Sequence, residues 1–255
     1  MLLWPEYASL ELVSLFNGEV QKSLTLQLQQ IQSLRDKFLQ LHDALAKKHG
    51  LYILPGTFPL RLESGEYRNR AWLFGPDGLL GFQDKLQMTR FEREQWFISA
   101  GDQLRVFDTA FGTLGINICY DSEFPLLARR QAEMGAKLIL VPSCTDTMAG
   151  YHRVRIGCQA RALENQCYVV QSPTVGNANW SEAVDVNNGA AGVFTPVDYG
   201  FPDNGILVQG EFNRPQWLYA DLDLASVATV RNSGQVFNYR DWPGQHRIAD
   251  ITEGR

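Results

Sequence analysis

Three apolar runs, at residues 114–118, 137–141 and 167–171, constrain this chain more than any other feature. Each is short and bounded by turn residues or charge, which favours a strand over a helix. The middle run is apolar almost throughout, as in a strand buried on both faces of a sheet. Between the runs the apolar spacing becomes helical, over 124–135 and again over 151–165. Strand, helix, strand, helix, strand in that order describes a sheet covered by helices. The first run ends at Cys119, so its sulfur falls at a strand-to-helix turn. Backbone N–H groups left unpaired by such a turn point at whatever the sulfur attacks. A nucleophile belongs there, although packing is the commoner fate of a free thiol.

The rest of the chain extends this frame. Residues 2–4 are a short apolar run stopped by Pro5, which sets Glu6 at the carboxyl edge of a sheet, the usual place for sites in α/β folds. Apolar positions 24, 28, 31, 34, 38, 41 and 45 predict one long amphipathic helix, closed by Lys47, Lys48 and Gly50. Strands follow at 51–58, bent at Pro55-Gly56, and at 69–74. After the turn Gly75-Pro76-Asp77-Gly78 a strand at 79–82 delivers Asp84 and Lys85. Residues 85–94 read as a loop rich in charge, and 104–107 pairs with 114–118 around Gly112-Thr113. Pro142-Ser143-Cys144-Thr145 follows the second buried strand. Residues 189–194 and 217–222 read as the last strands and 227–232 as a short helix. The remainder is a polar tail to Arg255, anchored by Phe237, Tyr239 and Trp242. No linker or repeat interrupts the pattern, so residues 1–255 are expected to form a single domain.

Composition narrows the function. A net charge of −5 with scattered basic residues argues against nucleic acid or an anionic membrane as a partner. No run of eighteen apolar residues is present, so no membrane span is expected. The first residues lack a basic segment, and Pro5 and Glu6 come too early for a signal peptide. The four cysteines, at 119, 144, 158 and 167, show neither a CxxC pair nor a short His spacing, so no metal site is expected. The expectation is a cytoplasmic protein with reduced thiols.

Hydrolysis of an amide or nitrile through a thiol needs a thiolate, a base to make it, positive charge for the oxyanion and a proton for the leaving nitrogen. Glu6, Lys85 and Cys119, each expected at a strand end, could supply all four. A neighbouring ammonium is expected to lower the thiol pKa. Trp4-Pro5-Glu6, Asp84-Lys85-Leu86 and Ile118-Cys119-Tyr120-Asp121 with Phe124-Pro125 resemble the three catalytic blocks of the nitrilase superfamily of carbon–nitrogen hydrolases. Arg161-Ala162-Leu163-Glu164-Asn165, Pro142-Ser143, Asn188-Gly189, Pro196 and Asp221-Leu222-Asp223 resemble further parts of that pattern. The resemblance implies a four-layer αββα sandwich, a Glu6–Lys85–Cys119 triad and no cofactor. It also implies that Glu92 orients substrate, with Tyr120, Ser143 and Cys144 near it, and that the protein is a homodimer.

The sequence departs from the family pattern at several places. The usual basic residue two after the aspartate is Glu123, the usual acid after Phe-Pro is Leu126, and Cys144 stands where a small or aromatic residue is commoner. Family members also have a strand and a helix, on the order of 35 residues, before the Pro-Glu strand. Here only five positions precede Glu6. The expectation is a chain short of that unit, with an exposed edge and marginal stability. The reading is a thiol-dependent amidase acting on a small-molecule amide. The alternatives are a nitrilase, an N-acyltransferase or a catalytically silent member acting as an interaction protein.

Overall fold

The computed structural model describes residues 1–247; the end of the expected tail lies outside the described residues. Two sheets pack face to face with helices on their outer sides. The first sheet contains β1 (Leu2–Leu3), β2 (Ile53–Leu54), β3 (Phe58–Arg61), β4 (Tyr67–Gly75) and β5 (Gly78–Asp84). β1 runs parallel to β2, and β4 pairs antiparallel with β2, β3 and β5. The second sheet begins with β6 (Val106–Thr109), β7 (Gly112–Ile116), β8 (Leu138–Ser143) and β9 (Tyr168–Pro173). Here β7, β8 and β9 are parallel neighbours, as the three apolar runs require. A small pair, β10 (Gly176–Asn177) and β11 (Val186–Asn187), stands apart. β12 (Gly192–Phe194) and β13 (Ile206–Gln209) then complete the second sheet at its β9 edge.

Alternation along β4 explains the layering. Ala71 and Leu73 point inward and share a buried cluster with Leu114, Ile116, Leu138 and Leu140 of the second sheet. Trp72 and Phe74 point outward and pack with Leu28, Ile31, Phe38 and Ala46. Those four come from α2 (Leu24–Ile31) and α3 (Arg35–His49), which follow the single-turn α1 (Gly18–Gln21). After the short α4 (Arg90–Glu94), α5 (Pro125–Glu133) and α6 (Met148–Asn165) cover the second sheet. Ala128, Val154, Cys158 and Ala162 of these helices join the same buried cluster as the inner strands. The chain continues into α7 (Leu224–Ser233) and the single-turn α8 (Asn238–Asp241). The αββα sandwich expected from the sequence is therefore the observed fold.

Several expectations need correction. The long helix is broken at Gln32–Leu34 by a turn of 3-10 helix. Gln32 donates to the carbonyl of Pro59 at 2.7 Å and accepts the N–H of Arg61 at 3.0 Å, so tertiary hydrogen bonds to β3 set the break. The strand expected over 51–58 is split by Gly56, which has φ +77°; a Cβ there would lie 2.0 Å from the Pro5 carbonyl oxygen. That close approach is what seats the Pro-Glu segment against the sheet. The loop at 85–94 contains α4, capped by Thr89.

Residues 217–222 form no strand, because an extended segment becomes one only by pairing. Residues 217–220 and Leu222 line a groove of about 790 Å³ together with Leu2, Trp4, Leu140 and Val170. Trp217 sets its ring edge-on to Trp4 at 5.1 Å, and Asn177 also lines this groove. β1 has one strand partner among the described residues, β2, and its other edge faces the same groove.

Candidate active site

Glu6, Lys85 and Cys119 arrive from three different strand ends. The ladder from β1 continues through Trp4, whose N–H donates to Leu54 at 2.9 Å, before Pro5 turns the chain. The Glu6 carbonyl accepts the Thr174 hydroxyl at 2.9 Å, which fixes the backbone beneath its carboxylate. Lys85 follows β5; its N–H donates to Asn69 and its carbonyl accepts from Gly101. Cys119 opens a 3-10 turn (Cys119–Glu123) with φ +50°, a left-handed conformation that costs a non-glycine residue energy. Strain of this kind is kept where it aims a side chain.

The three side chains meet in a buried polar cluster. Lys85 Nζ donates to Glu6 Oε1 at 2.8 Å and to Glu92 Oε1 and Oε2 at 2.9 and 2.7 Å. The Cys119 thiol points to the Cys144 carbonyl at 3.6 Å, with Glu6 and Lys85 close enough to act on its charge. Glu6, Lys85, Glu92 and Cys119 are all 3% exposed or less. Charges so deeply desolvated do little for stability compared with well-packed apolar residues. A buried cluster of this kind in a cavity wall marks a candidate functional site.

Glu92 is the better anchored carboxylate. It accepts the Tyr7 hydroxyl at 2.6 Å, and the Thr89 hydroxyl and N–H at 2.8 and 2.9 Å. Asn69 bridges the two carboxylates, donating to Glu6 at 2.8 Å and to Glu92 at 3.3 Å. Burial disfavours the charge on Glu92, but Lys85, Tyr7 and Thr89 outweigh it and hold its pKa below the usual carboxylate range. Burial dominates at Glu6, aided by the nearby Glu92, and raises its pKa despite Lys85. Burial works against the Lys85 charge too, yet the two carboxylates hold its pKa well above that of a free lysine. The surroundings thus favour the charge on Glu92 more than that on Glu6. Glu94 is half exposed, paired with Arg90 at 2.8 Å, and takes no part.

The expected lowering of the Cys119 pKa does not occur. Burial and then the negative charge of Glu6 raise it well above the ordinary thiol value, and Lys85 only partly offsets them. The resting group is a thiol beside a carboxylate. Cys144 lines the same cavity, but burial raises its pKa and its thiol donates to Asn187 at 3.1 Å. Tyr120 and Glu92 also line the cavity, which measures about 410 Å³. Ser143 does not. Alternation at the end of β8 turns it away to a fully buried position near Gln171, 3.5 Å from its amide nitrogen.

Sequence reasoning passed over Tyr7, Asn69, Thr89 and the part played by Asp121. The carboxylate of Asp121 accepts the N–H groups of Leu86, Gln87 and Ile118 at 3.0, 2.7 and 3.1 Å, tying the lysine segment to the cysteine turn. Burial pushes its pKa up to about 7, against Lys85 and those three donors. Thr89-x-x-Glu92 is a capping-box pattern and was open to recognition. Among the described residues, no group of three or more His, Cys, Asp or Glu side chains is arranged to hold a metal ion.

Glu92→Gln should be strongly destabilising. It removes a charge from a buried ammonium and weakens the bonds from Tyr7 and Thr89, a change of the kind that costs about 3 kcal/mol or more. Tyr7→Phe removes one hydrogen bond and should cost about 1–3 kcal/mol. Urea unfolding of the two variants beside the parent checks both values; equal midpoints for all three would contradict the assignment.

Two facing sheets between helix layers, with thiol, carboxylate and ammonium drawn from separate strand ends, define a nitrilase-type α/β sandwich. The carbon-nitrogen hydrolase family model matches residues 1–232, and this chain belongs to that family. It is 40% identical over 239 residues to a protein of Bacillus subtilis named "Probable hydrolase YhcX", covering 94% of this chain but 46% of that protein. It is 31% identical to omega-amidase NIT2-B of Xenopus laevis, covering 75% of this chain and 68% of the relative. Among solved structures it is similar to Nit3 of Saccharomyces cerevisiae, with TM-score 0.65 and 27% identity, covering 77% of this chain and 69% of the other. The chain thus spans less than half the length of the Bacillus relative. Among the described residues no helix is long and apolar enough to cross a membrane.

Proposed function

We propose that the chain hydrolyses a small-molecule amide through an acyl-thioester on Cys119. The observation that carries this reading is the buried contact of one ammonium with two carboxylates beside the strained cysteine, at the wall of a small cavity. Similarity to an omega-amidase supports an amide as the substrate.

Glu6 takes the Cys119 proton as the sulfur attacks the amide carbonyl. The carbonyl oxygen becomes an oxyanion, held by Lys85 and by the N–H of Tyr120, which lies in the first turn of its helix and has no partner within it. Collapse of the tetrahedral intermediate breaks the C–N bond, and the proton on Glu6 leaves with the amine or ammonia. Water then gives its proton to Glu6 and attacks the thioester, releasing the acid and restoring the thiol. Glu92 stays ionised and holds Lys85 in place. Exposed Leu126, Ile156 and Leu163, on α5 and α6, support pairing of two copies through these helices.

The raised pKa of Glu6 gives the reaction a pH signature. A base must be unprotonated to act, so kcat/KM should fall on the acid side through an apparent pKa above 4.5, the ordinary glutamate value. The transition belongs to the coupled Glu6–Glu92 pair. Assay of ammonia release from simple aliphatic amides across the acid range tests both points. Absence of hydrolysis for every amide, with the protein folded, would overturn the reading.

A further inference from the structure

The cavity carries charges that the hydrolytic steps do not use. Beyond the buried cluster, its wall contains four carboxylates, those of Glu123, Asp146, Glu182 and Asp185, and two guanidiniums, those of Arg90 and Arg153. Arg90 is committed to Glu94 at 2.8 Å, whereas Arg153 lies 3.7 Å from Glu123 and is only loosely paired with it. Both guanidiniums are largely exposed, at 85% and 62%, whereas Glu123 is 21% exposed. The deepest outer charge is therefore negative. Glu123 stands at the end of the cysteine turn, so its carboxylate is set by the same backbone that aims the nucleophile. Its one ion pair is longer than a hydrogen bond, which leaves its oxygens free to accept. Asp146 and Glu182 have no cationic partner among the described residues, and concave low-dielectric walls focus such a field. Lys85 acts on Glu123 less than burial or Arg153 does, and two carboxylates already pair with it.

Resting on the amidase reading, we propose that the preferred substrate is a small amide whose far end carries a positive charge, an ammonium or guanidinium, received by Glu123. Asp146, Glu182 and Asp185 attract that end to the mouth of the cavity. An amide with a terminal carboxylate meets like charge along the wall, and each guanidinium there already has a carboxylate beside it. This accounts for the glutamate at position 123, where the family pattern has a basic residue.

The test compares three amides of similar length: δ-aminovaleramide, which is cationic, valeramide, which is neutral, and glutaramic acid, which is anionic. The parent enzyme should show kcat/KM about tenfold higher for the cationic than for the neutral amide, mainly through KM, with the anionic amide lowest. The ratio of cationic to neutral should shrink as salt is added. Glu123→Gln should bring that ratio close to one. Calorimetric binding of the same amides to Cys119→Ala, which needs no turnover, should rank them in the same order. Equal or reversed ranking in binding, or an unchanged ratio in Glu123→Gln, would overturn the proposal. Ranked binding without hydrolysis of any amide by the parent would sink the amidase reading and leave the charge preference standing.

Discussion

Cys119→Ala should abolish amide turnover, with a loss of roughly a thousandfold or more, while Cys144→Ala, Cys158→Ala and Cys167→Ala each keep a measurable part of it. Only Cys119 joins a strained strand-end turn to a carboxylate and an ammonium. Cys158 and Cys167 are fully buried, and burial pushes both up to about 12. Cys144 shares the cavity, so it is the decisive control. A small uncharged alkylating reagent should label Cys119 first, more slowly in Lys85→Met, because that substitution removes the one charge favouring the thiolate. Preferential labelling of Cys144 would show that the wrong thiol had been chosen.

Glu6→Gln should block the second half of the reaction more completely than the first when the substrate is an activated ester. A good leaving group departs without a proton, so acylation can proceed slowly on the thiolate fraction. Attack of water on the thioester still needs a base. The glutamine keeps the shape and one acceptor for Lys85 but cannot take a proton. Release of the ester's alcohol should therefore show a burst approaching one equivalent, then a steady rate at least a hundredfold below the parent. Glu92, on the far side of Lys85, cannot substitute, because its oxygens are occupied by Lys85, Tyr7 and Thr89. A steady rate equal to the parent's would remove Glu6 from the mechanism.

The parts of this arrangement that the sequence displays are those carried by local pattern. The apolar runs at 114–118, 137–141 and 167–171 became β7, β8 and β9, because continuous apolar strands must be buried from both sides. Lys85 was found because a tight turn and hairpin place it at a strand end. Contacts between residues far apart in the chain were not legible. Tyr7 meets Glu92 across 85 positions, and the Thr174 hydroxyl reaches the Glu6 carbonyl across 168. The break at Gln32 has no breaker residue and depends on β3. Residues 217–222 carry a strand-like apolar pattern, and pattern alone cannot supply a pairing neighbour. The acidity of Cys119 was misjudged for a related reason. Glu6 and Lys85 are both visible in the sequence, but the depth of burial that sides with Glu6 against the cation is not.

The most direct measurement is peptide mapping by mass spectrometry of Glu6→Gln after incubation with an activated acetate ester. The account predicts a single acetyl group, carried by the peptide that contains Cys119, lost on treatment with hydroxylamine as a thioester would be. The parent protein under the same conditions should carry little of it, because Glu6 drives its hydrolysis. An acetyl group on Cys144, or none on any thiol while the ester is consumed, would contradict the account.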